Sequence, residues 1–272
     1  MLRRSLLFFT FYFFTVGVFA QTAQQGSKGK PKLVVGLVVD QMRWDYLYRF
    51  NALYGEGGFK RMLKEGFSSE NNFIPYVPTY TAVGHTCIYT GSVPALTGIV
   101  GNNWFDKTTG KGVYCTDDST VSTVGNSGRA GKMSPANLWV TTITDELRLS
   151  NNFKSKVIGI ALKDRGSILP AGHSANAAYW YDAGKWITST HYMNALPAWV
   201  EQFNGKDFAG KYMSKDWTTL LPINKYDLST EDDKSYESNI KGEKTVTFPH
   251  KLSAISDSFK YESFRTTPFA NT

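Results

Sequence analysis

Five residues in this chain have types and positions that suit work on a phosphate group: Asp40, Thr81, Asn102, Lys163 and Arg165. Thr81 follows Pro75 and Pro78, which force an extended approach, and a helix-compatible run begins only at this threonine. A hydroxyl at a helix start sits beside free backbone N–H groups and the positive end of the helix dipole, a setting that favours an alkoxide and a bound anion. The same position also suits an ordinary N-cap, and both readings stand on this stretch alone. Arg165 offers a planar fork to two phosphate oxygens and Lys163 a compact positive charge. Asn102 is either a neutral donor to an oxyanion or, with Asn103, a turn former. Because the pKa of a threonine hydroxyl lies far above neutral, its use as a nucleophile calls for a divalent metal held by a carboxylate such as Asp40. The alternative for Asp40 is a cap on the turn that follows it.

The elements that must position these groups can be read from hydrophobic patterning. Lys32 to Val39 is a continuous β-branched run of the kind buried on both faces of a parallel sheet, and it ends at Asp40. Lys156 to Leu162 is a second such run and leads directly into Lys163-Asp164-Arg165-Gly166. Ligands of open α/β sheets gather beyond the carboxyl ends of the strands, so both sets of charges are well placed. Between these runs, Asp45 to Tyr54 and Gly58 to Lys64 carry helical spacing, with Gly66 as a stop, and Phe67 to Phe73 reads as a returning strand. Thr116 to Lys132 lacks periodicity and reads as a surface loop. Ser134-Pro135 opens a helix whose buried stripe is Trp139, Val140, Ile143 and Leu147. Ala177 to Asp182 and Lys185 to Thr190 form a hairpin about Asp182-Ala183-Gly184, and a short helix is broken or begun at Pro197. The expected fold class is therefore α/β, a mixed and largely parallel sheet flanked by helices. Residues 205–250 read as an irregular insertion within it.

Composition narrows the field further. Arg3 and Arg4 precede an apolar run from Ser5 to Ala20 that ends Val18-Phe19-Ala20, the pattern of a signal peptide over residues 1–20. Sixteen apolar residues fall short of the roughly 20 needed to cross a bilayer, so the expectation is a periplasmic or secreted chain with no membrane attachment after cleavage. Residues 21–31 read as a flexible mature N-terminus. The formal charge is +7, or +5 once the two signal arginines are removed, and it is spread along the chain. With no basic helix or zinc-finger spacing, nucleic acid is not an expected partner. Apolar residues make up 42% of the chain and aromatic residues 15%, enough to bury a sizeable core. Cys87 and Cys115 either pair or remain as two buried thiols.

Four segments in order carry a family resemblance: Val34-Val-Gly-Leu-Val-Val-Asp40, Pro78-Thr-Tyr-Thr81-Ala-Val-Gly-His85-Thr-Cys-Ile-Tyr-Thr-Gly91, Gly101-Asn102 and Leu162-Lys163-Asp164-Arg165-Gly166. They resemble the alkaline phosphatase superfamily, most closely its periplasmic, phosphate-irrepressible branch with a threonine nucleophile, over residues 32–272. The resemblance implies an alkaline-phosphatase-like catalytic domain, zinc-dependent hydrolysis of phosphate monoesters through a phosphothreonine, and a site with two Zn2+ ions. It implies Thr81 as nucleophile, Asp40 and Thr81 as ligands of one metal, and Asn102, Lys163 and Arg165 as holders of the nonbridging oxygens. It further implies small phosphate monoesters as substrates and a monomer. Nucleotide pyrophosphatase and phosphodiesterase relatives share the threonine and asparagine but lack the lysine–arginine pair, which disfavours that alternative. A sulfatase is disfavoured because Ser92-Val-Pro94-Ala-Leu96 lacks the arginine of the sulfatase signature. The family's remaining metal ligands, including three histidines, have no counterpart among His85, His173, His191 and His250. The chain is thus expected to be the N-terminal half of such a domain, inactive by itself. A non-catalytic anion- or glycan-binding envelope protein is the alternative of another class.

Overall fold

The computed structural model of the chain describes residues 31–271, so the expected signal segment and residues 21–30 lie outside the described residues. Chain contacts divide the molecule between Val38 and Val39. In the first unit, residues 31–38 run without regular structure, and Leu33, Val34, Val35 and Leu37 are each at least three-quarters exposed. This corrects the expected strand over Lys32–Val39. A strand buried on both faces takes its hydrogen bonds from flanking strands, and among the described residues none pairs with this run.

The second unit is built around a four-stranded mixed sheet, ordered β3 (Thr123–Val124), β6 (Lys185–Ser189), β5 (Ala177–Asp182) and β4 (Ile158–Ala161). β4 and β5 are parallel, and the other two pairings are antiparallel. The β5–β6 hairpin matches its sequence reading; Ala183 and Gly184 close it with φ of 45° and 92°, values glycine adopts freely. β3 lies inside the segment read as a loop, because its two residues gain a ladder only when β6 is beside them.

Nine α-helices are described: α1 (Tyr46–Arg49), α2 (Gly58–Glu65), α3 (Thr81–Thr90), α4 (Pro94–Thr97), α5 (Ile143–Ser150), α6 (Asp164–Ala171), α7 (Ala198–Asn204), α8 (Phe208–Met213) and α9 (Asp257–Phe264). A second, two-stranded sheet pairs β1 (Asn103–Asp106) with β2 (Lys111–Tyr114). β5 is covered on both faces: Ala178 and Trp180 meet Ile168 and Ala171 of α6, while Ala177 and Tyr179 meet Val200 of α7. Helix α6 lies close on β4 because Gly159 has no side chain. A Cβ there would come within 2.3 Å of the Ser167 carbonyl oxygen.

Two further expectations are corrected. Phe67 to Phe73 forms no strand, and Phe67 is 95% exposed. The helix expected from Ser134 begins instead at Ile143, with Trp139, Ile143 and Leu147 exposed. Its start is set by a capping box in which the Thr142 hydroxyl accepts from the Asp145 N–H and the Asp145 carboxylate accepts from the Thr142 N–H. Cys87 and Cys115 are both free and buried, which resolves that alternative.

Asp145 is only 2% exposed, yet it is fully satisfied. Its oxygens accept from Thr142, from the His173 N–H and ring, and from the Ser174 N–H and hydroxyl. Burial acts to raise its pKa, but the hydrogen bonds from His173, Thr142 and Ser174 outweigh that and hold it well below the usual carboxylate range. The same bond raises His173, which also donates to the Leu138 carbonyl. The depressed carboxylate contributes stability above its unfolded pKa near 3.8, and the raised imidazole contributes below its unfolded pKa near 6.5. The pair therefore stabilises most between those values, losing its contribution as pH falls through the Asp145 pKa or rises through that of His173. Asp145→Ala would strand several buried donors and is expected to cost about 3 kcal/mol or more. Asp145→Asn is expected to lower the melting temperature of the full-length protein and flatten its pH dependence above pH 6, as followed by calorimetry.

Candidate active site

Helix α3 begins at Thr81, after an N-cap, Tyr80, that supplies no side-chain bond. The Thr81 hydroxyl is not the cap. It donates instead to Asp40 Oδ2 at 3.2 Å, across 41 positions of sequence. The capping role passes to Asn102, whose Oδ1 accepts from the Ala82 N–H at 2.9 Å. That bond determines which end of the amide is left over: Asn102 Nδ2 has no partner among the described residues. The asparagine is thereby a cap and a free donor at once, beside the threonine oxygen.

The α3 start is held against the start of α6. His85, one turn into α3, donates to the Thr81 carbonyl through Nδ1 at 2.8 Å, and its Nε2 lies 3.9 Å from where a Cβ on Gly166 would stand. Lys163 is the N-cap of α6, and Asp164 and Arg165 are its first two helical residues. Lys163 is exposed, and its pKa is lowered by partial burial, then by the charges of Arg165 and Arg265, against the opposing pull of Asp40 and Asp164. These couplings set the ammonium among both cations and the Asp40 carboxylate. Arg265, at the end of α9, is a cation the sequence reading missed, since no local pattern marks a residue brought in from so far along the chain.

All five predicted residues thus converge at the starts of two helices and the turn at Asp40. Arg165 makes no ion pair among the described residues; its Nη1 donates to the Tyr114 hydroxyl at 2.9 Å, and its Nε is buried without a partner. Cys115, next to Tyr114, is pushed up to about 12 by burial and by Asp164, so it stays a neutral thiol. A cavity of about 400 Å³ lined by Tyr181, Trp186, Phe208, Tyr212 and Phe264 lies apart from these residues.

Asp40 and Thr81 are two adjacent oxygen donors, fewer than the three or four protein ligands zinc takes. Among the described residues, no group of three or more His, Cys, Asp or Glu side chains is arranged to hold a metal. The described residues fit part of a metal site and do not complete one.

Residues 34–265 match the family model described as type I phosphodiesterase / nucleotide pyrophosphatase. The chain belongs to that family, within the alkaline phosphatase superfamily. It is 60% identical over 235 residues to alkaline phosphatase PhoV of Synechococcus elongatus, covering 86% of this chain and 42% of the relative. A Myroides odoratus protein named calcium-transporting ATPase is 60% identical over 245 residues, covering 89% of this chain and 45% of the relative. The crystal structure of wild-type alkaline phosphatase PafA matches with a TM-score of 0.86 at 55% identity, covering 89% of this chain and 47% of that one. A solved variant of PafA, altered at a threonine, an asparagine, a lysine and an arginine, matches equally well with a TM-score of 0.86 at 54% identity, covering 89% of this chain and 48% of that one. The chain spans about half the length of the curated relatives it matches.

The two roles of Asn102 separate by substitution. Asn102→Asp keeps the acceptor for Ala82 and should leave the melting temperature within the equivalent of about 0.5 kcal/mol, whereas Asn102→Ala should cost about 1 kcal/mol. Both should weaken competitive inhibition of the full-length protein by inorganic phosphate, by about tenfold or more for Asn102→Asp, because a carboxylate replaces the free donor.

Proposed function

We propose that this chain carries the nucleophile and phosphate-binding half of an exported, zinc-dependent phosphatase that hydrolyses small phosphate monoesters. The observation that carries the reading is the convergence of Thr81, Asn102, Lys163 and Arg165 at the starts of α3 and α6, with the threonine oxygen beside Asp40. The four residue types altered together in the PafA variant are, in the same chain order, the types at these four positions. In this reading Asp40 and Thr81 are ligands to one of two zinc ions, whose chemistry when bound is to make the alkoxide accessible at neutral pH.

The Thr81 hydroxyl gives up its proton to solvent, Oγ1 attacks phosphorus as the bond from phosphorus to the leaving oxygen breaks, and that oxygen takes up a proton from solvent. Water then attacks the phosphothreonine, its oxygen bonding to phosphorus as the Thr81 Oγ1–phosphorus bond breaks. The products are inorganic phosphate and the restored hydroxyl. Asn102 Nδ2, the Lys163 ammonium and the Arg165 guanidinium hold the nonbridging oxygens, and their preorganised charge is aimed at the transferring group. A monoester dianion uses both cations, whereas a diester carries one negative charge and a second substituent to seat. Periplasmic or secreted localisation and a monomeric state belong to the same proposal.

The description of the matched family favours a second reading, hydrolysis of phosphodiesters or nucleotide pyrophosphates at the same threonine. The Myroides odoratus relative's name suggests transport; among the described residues no helix is long and apolar enough to cross a membrane. The deciding experiment uses the full-length protein, purified with zinc, on an aryl phosphate monoester and its methyl diester. Thr81→Ala is expected to reduce phosphate release at least 1,000-fold. Undiminished turnover in that variant would refute the assignment, and a larger kcat/KM on the diester would select the second reading. Lys163→Ala is expected to lower monoester kcat/KM about tenfold or more with a smaller loss on the diester.

A further inference from the structure

Arg165 is held without being neutralised. Its neighbour Asp164 is within reach of several donors, yet no Arg165–carboxylate ion pair forms among the described residues. The hydroxyl of Tyr114 stands between them: it donates to Asp164 Oδ1 at 2.6 Å and accepts from Arg165 Nη1 at 2.9 Å. Asp164 in turn accepts from the Arg165 N–H at 2.7 Å and from the Thr116 hydroxyl at 3.3 Å, and it occupies the first turn of α6, where the helix dipole favours an acid. Burial, together with the Asp164 charge, pushes the Tyr114 pKa up, so the phenol stays neutral.

A direct bidentate pair with Asp164 would fix the guanidinium but use its fork and cancel its charge. The neutral phenol takes only Nη1. The Nε is buried and unpartnered, and the guanidinium keeps its full charge because the phenol it meets is neutral. We propose that Tyr114 is a positioning residue for Arg165, a neutral link that fixes the guanidinium toward the transferring phosphoryl group while leaving its charge to the substrate.

The β1–β2 hairpin gives this link a second consequence. Tyr114 pairs with Asn103 in the ladder, and the Cys115 N–H donates to the Asn102 carbonyl at 3.0 Å. One hairpin therefore registers Asn102 directly and Arg165 through Tyr114, so two phosphate donors on different elements share a single ruler.

The proposal rests on the phosphatase reading, and a double-mutant cycle on the full-length, zinc-loaded protein separates the two. Tyr114→Phe keeps the ring in its packed position and removes only the link. It is expected to lower kcat/KM for an aryl phosphate monoester by about 10-fold to 100-fold, the range for a hydrogen bond to a charged group. In an Arg165→Ala background the same change should cost no more than about twofold, because the residue acts only through the arginine. Equal losses in both backgrounds, or wild-type activity for Tyr114→Phe where Arg165→Ala is impaired, would overturn the positioning role and leave the phosphatase reading intact. Wild-type activity in Arg165→Ala would remove the phosphate-binding role of the arginine and the proposal with it. If Tyr114→Phe does not yield folded protein, Asp164→Asn takes its place in the cycle with the same expectation.

Discussion

A helix that begins in the open leaves its first amides without partners, and here one of them organises the site. The bond from the Ala82 N–H to Asn102 Oδ1 ties the helix that carries Thr81 to the hairpin that carries Asn102 and Tyr114. Because the carbonyl end of the amide is committed to the helix, the NH2 end is left without a partner among the described residues. Because the hairpin is fixed in register, Tyr114 reaches the start of α6. The Thr81 hydroxyl is then free for Asp40, since the Ala82 N–H is capped by a side chain twenty positions along the chain.

Charge at this site is collected rather than cancelled. Several cations elsewhere form ion pairs with a carboxylate close in sequence, as Arg49 meets Asp45 and Lys60 meets Glu56. Such surface pairs contribute little. Lys163 and Arg165 instead repel one another across partial burial, and the carboxylates nearby act on them without closing a contact with Arg165. Holding two like charges together costs stability. The buried Asp145–His173 cluster is the opposite case. Every oxygen there is used, and it serves the fold by fixing the start of α5 and the turn after α6.

Large apolar surfaces stay uncovered on the same molecule. Ile158 and Ile160 of the outer strand β4 are more than half exposed, as are Trp139 and Ile143 near α5. The chain spans about half the length of its matched relatives, and among the described residues no group of three or more His, Cys, Asp or Glu side chains could hold a metal.

The sequence by itself determined the local features that depend on neighbours in the chain: the helix after Pro78, the strand that delivers Lys163, Asp164 and Arg165, the hairpin about Ala183-Gly184, and the identity of the five charged and polar groups. Proline geometry, β-branched runs and turn chemistry act over a few residues, which is why they could be read directly. Tertiary structure alone decided what each group does. Whether Thr81 caps its helix, which end of Asn102 is free, and how Arg165 is held all depend on bonds across 20 to 51 positions. The run at Lys32–Val39 shows the converse. Its composition suits a buried strand, but a strand exists only where another offers it a ladder, and composition cannot supply the partner.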